Sequence, residues 1–517
     1  MVSAPHHLAS QAGISVLRDG GNAVEATIAM AATLSVVYPH MCGLGGDGFW
    51  LVAEPGSAPR AIDACGATGR AVTPELYRSY TTIPRRGALA ANTVAGAVAG
   101  WDAALGLVRG RGSPLPLERL LEDAIHYAEE GFAVSDGQAA LTTEKLDQLA
   151  AVPGFAEQFL VDGCPPAAGQ PMRLPTLAAT LRRLGQAGLD DFYRGESARA
   201  IAADMARFGG CIDAADLAAH QAVLSPPLSL RIRGARLFNL PPPTQGLASL
   251  VILGLFDRLE VRHAEGFDHL HGLIEATKQA FLVRDQVVTD PAFGGDAAEL
   301  YLRPASLDRL AARIARHKAM PWPAPPDGGD TVWLGAVDAS GRAVSMLQSV
   351  FFEFGSGLVL PQTGIAWHNR GCGFSLTKPH SNPLAPRRKP FHTLNPAMAI
   401  FDDGRRLVYG TMGGEGQPQT QAAIFTRHAI FGQPLQQAVT APRWLLGRTW
   451  GDDYTGLRLE SRFDPQLVEA LRLAGHAVEL VAPFTPMMGH AGAILRRSDG
   501  FLEGAADPRG DGAVAMF

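Results

Sequence analysis

Thr331 stands where a proline-rich stretch gives way to a strand. Met320-Pro321-Trp322-Pro323-Ala324-Pro325-Pro326-Asp327 is too rich in proline for a helix or a central strand. Gly328-Gly329-Asp330 follows, and Val332 to Val337 is then an apolar run with a β-branched residue at each end. Ala339-Ser340-Gly341-Arg342 turns the chain back into Ala343–Ser349, which predicts a hairpin. If the Asp330–Thr331 bond were cut, Thr331 would carry a free α-amine beside its own hydroxyl, a nucleophile and a base in one residue. An ordinary strand-initiating threonine explains the same position in isolation.

Three later stretches hold residue types that could complete such chemistry. Gly410-Thr411-Met412-Gly413-Gly414-Glu415-Gly416 ends a strand in a glycine turn. The consecutive amides of Gly413 and Gly414 could point at one oxygen, as an oxyanion hole requires, or simply form a tight turn. Lys389-Pro390-Phe391-His392-Thr393-Leu394-Asn395-Pro396 fixes a polar loop between two prolines, fit to line a pocket or to satisfy local backbone. Arg370, after Asn369, could hold a carboxylate through paired hydrogen bonds, or be a solvated surface charge.

Other chemistries find less support. His271 and Glu275 share a helix face, but His269 points elsewhere and no HExxH occurs, so no metal is expected. Gly43-Leu44-Gly45-Gly46-Asp47-Gly48 lacks a following Lys-Ser/Thr and leads into a strand. It predicts close backbone packing rather than phosphate binding. There is no GxSxG elbow for an α/β-hydrolase nucleophile. The five cysteines are odd in number and show no CxxC, which supports neither a disulfide framework nor a zinc site.

The elements that must position these residues change character along the chain. Helices are expected at His7–Arg18 and, capped by Asn22, to about Val37. More follow at 117–130, 174–186, 196–208, 214–220, 247–259, 268–283 and 304–317. Strands at 228–232 and 235–240 interrupt them, and Pro241-Pro242-Pro243-Thr244-Gln245-Gly246 is a rigid loop before a helix, with Thr244 as its cap. After Thr331 strands dominate, among them 398–401 paired with 407–409 across Asp402-Asp403-Gly404-Arg405. Helices are expected at 421–432 and 465–474. A helical first part and a strand-rich second part imply sheets covered by helices.

Composition narrows the partners. With 47% hydrophobic and 18% charged residues, the chain of 517 has ample material for a core. A net charge of −5 without a long basic run gives no support for nucleic acid or an anionic membrane. The start, Met1-Val2-Ser3-Ala4-Pro5-His6-His7, has no basic region and no apolar leader, so cytoplasmic placement is expected. The apolar run from Ala23 to Tyr38 is short and carries Glu25, which predicts a buried helix rather than a membrane span.

Taken in order, these motifs resemble the γ-glutamyltransferase family of N-terminal-nucleophile hydrolases. The resemblance runs through Val2-Ser3-Ala4-Pro5-His6-His7, Gly20-Gly21-Asn22-Ala23, Gly43–Phe49, Pro241-Pro242-Pro243 and Asp330-Thr331. It continues through Phe354-Gly355-Ser356-Gly357, Gly413-Gly414, Ala441-Pro442-Arg443 and Ala506-Asp507-Pro508-Arg509. It implies a four-layered α/β/β/α sandwich and self-cleavage between Asp330 and Thr331. The products would be a large chain, 1–330, and a small chain, 331–517, that stay associated as a heterodimer. Thr331 would be the nucleophile, its α-amine the base, Ser349 its hydroxyl partner, and Gly413 and Gly414 the oxyanion pair. No cofactor is implied; a higher homo-oligomer is compatible.

The chain departs from that family where the substrate's head group is held. Classical members place an arginine near the position of Cys65, an acid near Gly373 and an asparagine near Phe351, and a serine pair falls on His392-Thr393. Losing both charged anchors argues against glutathione. The stretches around Gln348-Ser349, His368–Gly371 and Phe391–Leu394, with Gly413-Gly414-Glu415-Gly416-Gln417, resemble a branch that includes oxamate amidohydrolases of purine (allantoin) breakdown. The resemblance implies an autoprocessed amidohydrolase of a small carboxylate-bearing amide. Arg370 would bind the carboxylate, with Asn369, His392 and Thr393 beside it. The alternatives are a γ-glutamyl hydrolase or transferase with an altered head-group site, an acylase of larger acyl amides, and an uncleaved, non-enzymatic member.

Overall fold

The computed structural model describes residues 1–110, 114–294, 297–322, 330–377, 380–448 and 454–517, with backbone alone at Asp330. The proline-rich linker beyond Trp322 and the Gly328-Gly329 pair therefore lie outside the described residues. Two large sheets lie between helices. The first has seven strands, in the order Ala513–Ala515, Val2–Ala4, Asp330–Val337, Ala343–Phe351, Asp47–Ala53, Arg60–Asp63 and Val223–Ser225. The second has six, in the order Leu502–Ala506, Ala491–Arg496, Arg406–Thr411, Ala397–Phe401, Ala235–Asn239 and Leu228–Ile232.

Three apolar layers show why this is an α/β/β/α sandwich. Val332, Leu334 and Ala336 pack toward helices His7–Arg18, Ala23–Val37 and Leu117–Glu130. Trp333 and Val337, on the alternate face, join Phe49, Leu51, Leu347, Met398, Val408 and Ile494 between the sheets. Ala399, Leu407 and Tyr409 face the other helix layer, Gly246–Arg258 and Phe267–Val287. By the same alternation Thr331 lies on the face of Trp333, toward the second sheet.

Local sequence explains the elements nearest the site. Asn22 accepts from the amides of Val24 and Glu25, and Glu25 accepts from the amide of Asn22, so a capping box starts Ala23–Val37 as expected. All fifteen residues of that helix are buried, which explains its lack of a polar face. Gly45 and Gly46 do allow close packing. A Cβ at Gly45 would sit 2.2 Å from the Ala366 carbonyl, and one at Gly46 2.2 Å from that of Ser349.

Several boundaries differ from expectation. The helix expected at 421–432 starts at Gly416, directly after the glycine turn, and ends at Phe425. Helices Ala97–Val108 and Asp136–Leu149 and the strand Val2–Ala4 were not foreseen. Gln245 rather than Thr244 takes the cap position before Gly246–Arg258, although Thr244 Oγ1 accepts from the Gly246 amide at 3.1 Å. No described helix is long and apolar enough to cross a membrane.

Candidate active site

Thr331 is fully buried, the second residue of the strand that begins at Asp330. Val332 pairs with Gln348 and Asp330 with Phe351, so Thr331 alone faces both Ser349 and Val350. That is a β-bulge, the device that re-aims a side chain at the end of a ladder. Ser349 Oγ accepts from the Phe351 amide at 2.8 Å and Phe351 has φ of 81°, which together shape the bulge. Ser349 also pairs with Asp47 on its other side.

The glycine turn comes from the facing sheet. A Cβ at Gly410 would lie 2.1 Å from Trp333, so the two sheets nearly touch two residues beyond Thr331. Gly413 and Gly414 follow, with φ of 114° and 51°, a pair of conformations that glycine adopts freely. The Met412 carbonyl accepts from Thr411 Oγ1 at 2.8 Å, and that of Gly413 from the Gly416 amide at 2.7 Å. A trans peptide sets its N–H opposite its C=O, so the Gly413 and Gly414 amides point away from those partners. Two adjacent donors in such a turn could hold one developing oxyanion if both face it.

Arg370 is the candidate charged group; Thr331, Gly413 and Gly414 are not among the residues that line the cavity it borders. It is fully buried, against the expectation's open alternative of a solvated surface charge. Its Nε donates to the Phe391 carbonyl at 2.9 Å, Nη2 to the same oxygen, and Nη1 to Thr393 Oγ1 at 3.4 Å. The guanidinium stacks 3.8 Å above the Phe351 ring. Burial pushes its pKa from 12.5 down to about 10, with partial relief from the Asp47 carboxylate, so it stays charged at neutral pH. Among the described residues no carboxylate lies within ion-pair distance of it. Arg370 also lines a cavity of about 570 Å³, with Arg284, Cys372, Gly373, Phe374, Asn382 and Phe391 among its walls.

The departures from the family pattern gather on this one side chain. Phe351 carries its stack, and a Cβ at Gly373 would lie 4.0 Å from Nη2. Cys65 feels its charge. Thr393 takes one of its hydrogen bonds.

His392 and Asn369 are placed differently. The His392 Nδ1 accepts from the Leu394 amide at 3.3 Å, so Nε2 carries the proton and faces Asp47 Oδ2 at 3.2 Å. Burial and the nearby Arg370 push this imidazole down to about 3, which keeps it neutral. Asn369 Oδ1 accepts from the Phe352 amide and its Nδ2 donates to the Arg85 carbonyl. With their polar atoms so engaged, neither residue lines the cavity, and nor does Thr393.

Asp47 was not foreseen as part of this arrangement. It is buried at the start of its strand, where Oδ1 accepts from the amides of Gly66 and Gly96 at 3.0 and 3.2 Å. Its Oδ2 faces His392 and His368. The only signal was an acid inside a glycine-rich loop.

Among the described residues, two clusters have metal-ligand residue types. In the first, Asp47, Cys65 and His392, burial pushes the Cys65 thiol well up, so it stays protonated. In the second, His271 and Glu275 are joined by His476, which is distant in sequence. Here His271 Nε2 donates to the Ala315 carbonyl at 2.8 Å, leaving Nδ1 to accept from His476 Nε2 at 2.9 Å. Glu275 binds Lys278 and the Met320 amide at 2.7 and 3.1 Å. Those bonds use the lone pairs a metal would need, and describe a clamp on the segment that leads out at Met320. His269 lies elsewhere, against Thr426.

The sequence description gamma-glutamyltranspeptidase matches residues 9–517. The chain belongs to the γ-glutamyltranspeptidase family. It is 53% identical to an oxamate amidohydrolase proenzyme of Klebsiella pneumoniae subsp. pneumoniae, across 100% of this chain and 98% of that protein. It is 43% identical to a glutathione hydrolase-like proenzyme of Bacillus subtilis, across 99% and 98%. Among solved structures, a cephalosporin acylase from Bacillus halodurans superposes with a TM-score of 0.92 at 32% identity, covering 100% of this chain and 95% of that one. The γ-glutamyltranspeptidase fold and the chain's standing as an N-terminal-nucleophile amidohydrolase of that family agree with the resemblance read from its motifs.

Proposed function

We propose that this family member matures by cleavage between Asp330 and Thr331 and hydrolyses a small carboxylate-bearing amide, oxamate, to oxalate and ammonia. The observation that carries this reading is Arg370, a buried guanidinium with no described carboxylate partner, in the wall of a cavity. A charge held out of water at such cost is best accounted for by an anionic ligand. The 53% identical relative is itself described as an oxamate amidohydrolase proenzyme.

The chemistry follows from the parts. Thr331 Oγ attacks the amide carbon while the freed α-amine, with an ordinary pKa near 7.7, accepts its proton. The amides of Gly413 and Gly414 stabilise the oxyanion, and Arg370 holds the neighbouring carboxylate. Ammonia leaves with the proton returned by the amine. Water, deprotonated by the same amine, attacks the threonyl ester and releases oxalate. Ser349 holds the Thr331 hydroxyl in place. His392 and Thr393 support the loop that carries Phe391, and Asn369 fixes the turn that carries Arg370.

One observation favours a second reading. A cavity of about 570 Å³ has room well beyond oxamate, which suits an acylase of larger acyl amides. Two measurements decide. Denaturing electrophoresis is expected to show bands of roughly 35 and 20 kDa in place of 54.7 kDa, as a cut that frees an N-terminal nucleophile requires. Ammonia release from oxamate is expected to exceed release from glutaryl amides, and γ-glutamyl anilide to be a poor substrate. Faster turnover of the glutaryl amides would instead establish the acylase reading.

A further inference from the structure

One buried side chain beside the glycine turn takes no part in any step above. Gln245 is fully buried at the end of the Pro241–Thr244 loop. Its Nε2 donates to the Gly414 carbonyl at 2.8 Å and to the Thr393 carbonyl at 2.8 Å. Its Oε1 accepts from Arg284 Nη1 at 3.2 Å, and its backbone amide donates to the His392 carbonyl at 2.9 Å. Carbonyls only accept and a guanidinium only donates, so the amide can be oriented in just one way. Arg284 is fixed in turn by Glu415, at 2.7 Å, and by Asp285, at 2.7 Å.

The two carbonyls belong to different loops. Gly414 is in the turn from the second sheet that presents the oxyanion donors. Thr393 is in the loop whose Phe391 carbonyl and Thr393 hydroxyl hold Arg370. One NH₂ group, with both protons used, thus ties the oxyanion turn to the carboxylate anchor. In oxamate, the half-amide of oxalate, the reacting carbonyl and the carboxylate are bonded directly, so the spacing between these two loops has little slack.

We propose that Gln245 is the positioning residue that sets the distance between the oxyanion turn and Arg370, and so matches the site to a short, two-carbon acyl group. This rests on the roles given above to Gly413, Gly414 and Arg370. No other neutral side chain of this size offers two donors and an acceptor in this arrangement. Glutamate would put an oxygen against two carbonyl oxygens, and asparagine would fall a methylene short of reaching both.

The test is Gln245→Glu in the mature two-chain enzyme, with Gln245→Asn made in parallel. For Gln245→Glu, kcat for oxamate is expected to fall at least 10-fold and KM to rise at least 3-fold, because both loops shift. A protonated glutamate regains one donor, so the ratio of variant to wild-type kcat is expected to rise as pH falls from 8 to 6. A merely structural role would leave that ratio flat. Gln245→Asn is expected to show the same paired change in smaller measure, and it carries the test where Gln245→Glu does not fold. Either folded variant with kcat and KM within twofold of wild type overturns the proposal. Arg370→Ala separates the two readings. If it raises KM for oxamate while the Gln245 variants change nothing, only the positioning role fails. If Arg370→Ala is also silent, the carboxylate-amide reading fails first.

Discussion

Replacing Arg370 by methionine should weaken substrate binding without weakening the empty protein. Truncating one member of a buried, hydrogen-bonded charge pair costs about 2–5 kcal/mol, so kcat/KM for oxamate is expected to drop roughly 30- to 4,000-fold. Because the carboxylate is bound in both ground and transition states, most of that loss should appear in KM. The empty site behaves oppositely. Burial lowers the Arg370 pKa from 12.5 to about 10, so holding the charge there costs on the order of 3 kcal/mol. The stack on Phe351 and the bonds to Phe391 and Thr393 return on the order of 1–2 kcal/mol. Arg370→Met is therefore expected to be as stable as the wild type or slightly more so. Thermal melts with and without oxalate complete the assay. Saturating oxalate, at about 100 times its Kd, should stabilise the wild type by about 2.7 kcal/mol and leave the variant unmoved. The reasoning is refuted if the variant loses less than threefold in kcat/KM. It is equally refuted if oxamate and the uncharged oxamide lose activity in the same proportion while oxalate still protects.

Thr331→Ala should leave the chain as a single 54.7 kDa band and abolish ammonia release, whereas a cut chain from that variant would separate cleavage from the nucleophile. At Gly413, φ of 114° excludes a side chain without strain. Gly413→Ala is expected to cost about 1–3 kcal/mol of stability and about 100-fold in kcat, by steady-state kinetics, as its amide turns away. Stability should fall with acid, because burial pushes His6, His40, His220, His392 and His476 to about 3 and His269, His368 and His490 to about 4. Below pH 6.5 the unfolded chain binds protons that the folded one refuses. Stability is thus full above pH 6.5 and declines toward pH 3–4, by about 1.4 kcal/mol for each such histidine at pH 5.5. Urea midpoints that agree at pH 7.5 and 5.5 would contradict this.

The elements legible in the sequence were those whose signals are local. The cap at Asn22, the turn at Ala339–Arg342 and the turn at Asp402–Arg405 each lie within a few residues of what they cause, and each is present. Val2–Ala4 was invisible because its three residues become a strand only by pairing with Ala513–Ala515 on one side and Gly335–Ala336 on the other. The helix at Gly416–Phe425 starts earlier than expected for a similar reason. Its first turn, Gly416-Gln417-Pro418-Gln419, is polar in sequence but wholly buried, with Gln419 bonded to the Glu415 and Leu446 carbonyls. A hydrophobic pattern cannot see a polar face that tertiary partners satisfy.

The same limit governs the site. Motif order put forward Thr331, Gly413 and Gly414 as candidates, because a strand start after a proline-rich linker and a glycine turn keep a recognisable local form. It was not enough to separate Arg370 from its neighbours. Arginine, asparagine, histidine and threonine at 369–370 and 392–393 look alike as candidate ligands. What distinguishes them is whether a partner elsewhere already uses their polar atoms. Asp47 lies far back in the chain and occupies His392; Phe352 and Arg85 occupy Asn369. Arg370 alone of these four keeps a full charge with only carbonyl and hydroxyl oxygens to meet it. An unpaired charge is a property of everything around it, including the acid that position 373 lacks. If that is why the guanidinium remains open to a carboxylate, Gly373→Asp should close it, giving Arg370 a partner from within the protein and raising KM for oxamate as steeply as removing the arginine does. Unchanged KM in that variant would mean the anion is held elsewhere.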